Sequence, residues 1–64
     1  MNIKIGSRVR VRQWGGGVVE GVVTDILDDV KNGRPGIDYA TDSTYQFERN
    51  KWCYLDQVLS VTNN

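Results

Sequence analysis

The chain is predicted to be all-β, a small and strongly bent barrel of five or six strands with a 3₁₀ turn before the last strand. Three observations carry this. Arg8-Val9-Arg10-Val11-Arg12 alternates with a period of two, the mark of a half-buried strand with valines inward and arginines outward. Gly15-Gly16-Gly17 then punctuates the chain, and a second valine-rich run follows that a single glycine, Gly21, interrupts. No segment shows a 3.6-residue period over a useful length.

The elements follow in order. Gly6-Ser7 is a turn, and the first strand covers residues 8 to 13. Trp14 and the three glycines form a tight or bulged connection, because glycine accepts positive φ without steric cost. The second strand runs from about Val18 to Leu27 and is expected to bend at Gly21; close approach of a ligand or partner backbone is the other reading of that glycine. Residues 28 to 36 read as the longest loop, with Asn32-Gly33 and Pro35-Gly36 as turn dipeptides. A third strand covers residues 36 to 41, with Ile37 and Tyr39 on one face. Asp42-Ser43-Thr44 is a polar turn, and residues 45 to 49 read as a strand. Asn50-Lys51 reads as a bulge or second turn, and Trp52-Cys53-Tyr54 resumes strand character. Leu55-Asp56-Gln57 is the 3₁₀ turn, Val58 to Val61 the last strand, and residues 62 to 64 a frayed end.

Sixty-four residues make one domain spanning 1–64. A chain of this size hides only about 60% of its unfolded surface. Such chains are usually supplemented by disulfides, a metal or self-association. Cys53 is the single cysteine, so no disulfide forms within the chain, and with no histidine a structural zinc site lacks ligands. Self-association into a dimer or larger homo-oligomer is the expected supplement. The lone thiol, the absence of a leader and the lack of any apolar run near about 18 residues predict a cytoplasmic protein with no membrane partner. No cofactor is expected.

The outline of turns and valines resembles the SH3-like barrels. It is carried by Gly6-Ser-Arg-Val-Arg-Val, Gly21-Val-Val-Thr-Asp-Ile and Trp52-Cys-Tyr-Leu-Asp-Gln-Val-Leu-Ser-Val. The same outline occurs in KOW and Tudor modules, in one of the small photosystem I protein families and in the type II dihydrofolate reductases carried on integrons. It also resembles small proteins of mobile elements such as integron cassettes and phages. An OB-fold needs more residues and a helix between strands. The resemblance implies a fold and leaves function to the residues. The reductases use a Gln-Ile-Tyr segment lining a pore formed by four copies of the chain; the matching place here reads Lys51-Trp52-Cys53, so their activity is not implied. KOW modules bind through basic loops, whereas the loops here are acidic or neutral. Tyr39, Tyr45, Trp52 and Tyr54 are the aromatics available for a Tudor-like cage.

Candidate contact residues are Arg8, Arg10, Arg12, Trp14, Trp52 and Tyr54. The three arginines lie on one strand face about 6.5–7 Å apart. They are either a cationic ridge for phosphate or an acidic partner, or a solvated face meeting Glu20 across the strand pair. Eight basic and eight acidic residues cancel, which disfavours a nucleic-acid partner bound mainly through phosphates. Trp14, beside three glycines, either folds back to cap the barrel or serves as a contact residue. Trp52 and Tyr54 share one face of their strand and Cys53 the other, so an inward Cys53 implies that both aromatics are exposed together. Asp25, Asp28 and Asp29 read as a solvated loop rather than a cation site. With no histidine, and serines that lack an evident base, catalysis is not expected. The expectation is a non-enzymatic binding or adaptor module that self-associates through a strand edge or an aromatic face. A nucleic-acid module using the arginine face and Trp14 is the alternative, and an oligomeric enzyme with a site between subunits the remote one.

Overall fold

The computed structural model describes residues 2–41 and 50–63. The expected turn at 42–44 and strand at 45–49 lie outside the described residues. The described chain is all-β, with β1 (Arg8–Arg12), β2 (Val18–Lys31), β3 (Arg34–Thr41), β4 (Asn50–Tyr54), a 3₁₀ turn at Leu55–Gln57 and β5 (Val58–Thr62). All pairings are antiparallel, in one five-stranded sheet of order β4-β3-β2-β1-β5. No helix among the described residues is long and apolar enough to cross a membrane.

The expected barrel is not closed. β4 and β5 end the strand order, and the three-residue 3₁₀ turn carries the chain between them without pairing them. Gln57 bridges part of that gap. Its Oε1 accepts the Tyr54 backbone N–H at 3.0 Å, and its Nε2 donates to the Arg12 carbonyl at 3.0 Å.

The long β2 serves two neighbours. Val18 to Val22 pair with β1, and Gly21 onward pairs with β3, so Gly21 lies where the partner changes. A Cβ there would sit 2.7 Å from the Ala40 carbonyl oxygen and 2.8 Å from the Tyr39 ring. Close packing against β3 therefore excludes any side chain at this position.

β2 does not stop at Leu27. It continues to Lys31 and turns through Asn32-Gly33 alone, with φ of 58° and 72°, the positive pair a two-residue hairpin demands. Asp25, Asp28 and Asp29 are therefore strand residues, not loop residues. Pro35 sits where the β2–β3 register slips, so its missing N–H disrupts no regular ladder. Asn50 and Lys51 belong to β4, opposite Ala40 and Tyr39, rather than to a bulge or turn.

The core is Val9 and Val11 from β1, Val23 from β2, Ile37 and Tyr39 from β3, Cys53 from β4 and Val58 from β5. The alternation of β1 survives intact, with valines buried and arginines exposed. Thr62 and Asn63 are tied down rather than frayed: Thr62 pairs with Arg8, the Ser7 hydroxyl donates to Asn63 Oδ1, and Asn63 Nδ2 donates to the Asn2 carbonyl at 2.7 Å.

Candidate binding face

Cys53 faces the core, and its neighbours on the strand point outward. The inference that Trp52 and Tyr54 are then exposed together needs correction. Trp52 is 37% exposed, but Tyr54 is only 5% exposed, although it lies on the outer surface. Other side chains cover it. The Arg34 guanidinium stacks 3.9 Å above its ring centroid. Trp14 meets it edge-on at 6.1 Å and Trp52 at 5.4 Å, near the perpendicular geometry that aromatic quadrupoles favour. Asn32 Nδ2 donates to its hydroxyl at 3.1 Å.

The covering groups come from three parts of the fold, with Trp52 on β4 beside Tyr54 itself. Trp14 hangs from the glycine turn between β1 and β2, and Arg34 and Asn32 from the β2–β3 hairpin. Asp56 on the 3₁₀ turn holds Arg34 in a 2.5 Å ion pair. Lys31 Nζ lies 5.5 Å from the Trp52 ring centroid. The result is a face of three aromatic rings edged by cations. Trp14 does touch Tyr54, yet 72% of its surface stays in solvent.

Trp14 stands between two adjoining grooves. One, of about 520 Å³, runs between Trp14 and Trp52 down to Tyr39, Cys53 and Val11, with Arg12 and Lys51 at its rim. The other, of about 410 Å³, lies between Trp14, Arg34, Tyr54 and Asp56. Arg12, Gln13 and Gln57 border both.

The arginine row divides. Arg8 and Arg10 share one carboxylate, Glu20, at 4.0 and 3.9 Å, in exposed surroundings where such pairs contribute little. Arg12 has no ion-pair partner among the described residues and lines the grooves instead. The structure thus brings Arg12, Trp14, Trp52 and Tyr54 together around the grooves and leaves Arg8 and Arg10 farther along β1, outside them. Arg34, Lys31 and Lys51 were missed as members of this face, and Tyr39 was named only among the aromatics available for a cage. The Lys31 and Arg34 positions follow only once Asn32-Gly33 is recognised as the whole turn.

Two buried acids in the floor are held protonated. Burial pushes the Cys53 thiol up to about 11, with nearby Asp56 adding to it, and the Tyr39 phenol up to about 12, with Cys53 adding to it. Asp25 Oδ1 accepts the Ile26 N–H and Asp29 Oδ1 accepts the Gly33 N–H, both at exposed positions. No group of acidic or thiol side chains among the described residues has metal-binding geometry.

Fold and face together define a small antiparallel β protein with an aromatic, cation-edged surface. Compared with known protein families, curated proteins and solved structures, the chain matches none.

Proposed function

We propose that this chain is a non-enzymatic binding module of SH3-like barrel type that presents Trp14, Tyr54 and Trp52 to a partner. One observation carries the reading: an indole 72% exposed, propped on a buried tyrosine between two grooves. Tryptophan, tyrosine and arginine are the side chains that dominate binding energy at interfaces. The barrel assignment is supported by the strand order, the long shared β2 and the 3₁₀ turn before β5. The non-enzymatic reading is supported by the sequence's lack of histidine, the protonated Cys53 and the structural use of Ser7.

Random peptide and random single-stranded oligonucleotide libraries, each selected on the wild type and on a Trp14→Ala/Trp52→Ala variant, test this. Enrichment from either library that the variant loses supports the module. Equal enrichment on both proteins, or none on either, contradicts it.

Self-association uses a second surface in this reading. Val18 and Leu59, 49% and 52% exposed, lie on the two strands that flank β1. Leu59 is the extra residue where the β1–β5 register slips, a bulge that blunts the β5 edge against strand addition. Contact is therefore expected through the face rather than the edge. Light scattering at high micromolar concentration should find an oligomer that Val18→Asp with Leu59→Asp reduces to a monomer. A monomeric wild type contradicts this part of the reading.

A further inference from the structure

We infer that the groove between Trp14 and Trp52 takes single-stranded nucleic acid, with a base stacked on the tryptophans and its edge directed at the Tyr39 hydroxyl. This rests on the binding-module reading and names its ligand.

Tyr39 is the observation that points to a ligand. The residue is 2% exposed, and its hydroxyl makes no hydrogen bond to any described residue. A buried phenol normally finds a partner. No fully buried side-chain polar atom among the described residues lacks one, so this hydroxyl must reach solvent. Tyr39 is one of the residues that line the 520 Å³ groove. With its ionisation pushed far above neutrality, the phenol is a neutral group that can both donate and accept, as a base edge requires.

The rest of the lining fits the same ligand. Trp14 and Trp52 offer aromatic surface, which accepts any base because every base has a π-face. Arg12 and Lys51 line the groove without ion-pair partners among the described residues, and no carboxylate of the described residues lines it. The described lining is thus cationic in a chain of zero net charge. Its volume falls in the range of about 300–1,000 Å³ usual for small-ligand sites. Stacking rather than phosphate contact dominates here, which answers the objection from net charge. Two cations on a single strand predict a slope of only about −1.4 in log affinity against log salt.

The test is fluorescence anisotropy with a labelled single strand of about ten nucleotides, in about 20 mM salt, on the intact chain. Binding is expected, with Trp52→Ala weakening it about 5- to 150-fold. Tyr39→Phe, which removes one oxygen and keeps the ring, should weaken it about 2- to 10-fold at an unchanged urea midpoint. Lys51→Gln should bring the salt slope about 0.7 closer to zero. No binding, equal binding of the matching duplex, or full affinity in both Tyr39→Phe and Trp52→Ala would overturn the inference. Displacement of the strand by an oligoglutamate peptide of equal charge would overturn it in favour of an acidic polypeptide. If only the peptide library above enriches, this inference fails and the binding module stands; if neither enriches, both fail.

Discussion

Gly36 shows how single atoms set this fold. Its φ is ordinary, yet a Cβ there would lie 2.2 Å from the Cys53 carbonyl oxygen and 2.4 Å from Val30 Cγ1. β4 backbone on one side and a β2 side chain on the other leave no space. Gly36→Ala is expected to destabilise the fold by about 1–3 kcal/mol or more, because backbone must move, and a urea melt measures it. Ser7 is the second such position. Its buried hydroxyl accepts the Lys4 N–H at 2.9 Å and donates to Asn63, joining the two ends of the chain. Ser7→Ala should cost about 1–3 kcal/mol by leaving the Lys4 N–H and the Asn63 oxygen without this partner. The sequence marks Gly6-Ser7 as a turn, and that is all a local signal can say. Asn63 lies 56 residues away, so the clasp exists only in three dimensions.

At the scale of elements, β1 and the 3₁₀ turn were legible because each has a local cause. The alternation of β1 needs only one buried face, and that is what it has. β2 was misjudged at its far end. Asp28-Asp29 and two turn dipeptides within five residues suggest a loop, but a two-residue hairpin needs only one of them. Pro35 then falls in the strand at a register slip. That error hid Lys31 and Arg34, which the extended hairpin delivers to Trp52 and Tyr54. Alternation likewise predicted the outward direction of Tyr54 but not its burial, which neighbouring elements supply. Trp14 contributes to that cover while remaining mostly exposed. Trp14→Ala should therefore cost about 0.5–1.5 kcal/mol in a urea melt, the worth of one aromatic pair, far less than a core truncation. A loss of about 3 kcal/mol or more would mean that Trp14 is a structural cap rather than a contact residue.

The whole molecule carries a pH dependence with a definite sign. Cys53 and Tyr39 ionise only near 11 and 12 when folded. Unfolded, they return to ordinary values of about 8.5 and 10. Above those values the unfolded chain releases protons that the folded chain retains, so alkali favours unfolding. Their contribution to stability is full below about pH 8.5 and is lost as pH rises through about 11 to 12. Denaturant midpoints measured from pH 7 to 12 should show this fall, and Cys53→Ala should flatten its first part. The charge distribution is also a property of the whole. Arg8 and Arg10 are paired with Glu20, while Arg12 and Lys51 line the groove and Lys31 and Arg34 lie against the Trp52 and Tyr54 rings. A zero sum conceals that division, and composition alone was bound to miss it.

The two tryptophans make the central claim directly measurable, since the chain has only two indole N–H signals. A heteronuclear NMR titration with whichever ligand the libraries return should move both indole signals and the Arg34 and Lys51 amides. The amides of Arg8, Arg10 and Ser60 should stay in place. Shifts confined to Arg8, Arg10 and Ser60, with both indoles still, would contradict the account and return the binding face to the arginine strand.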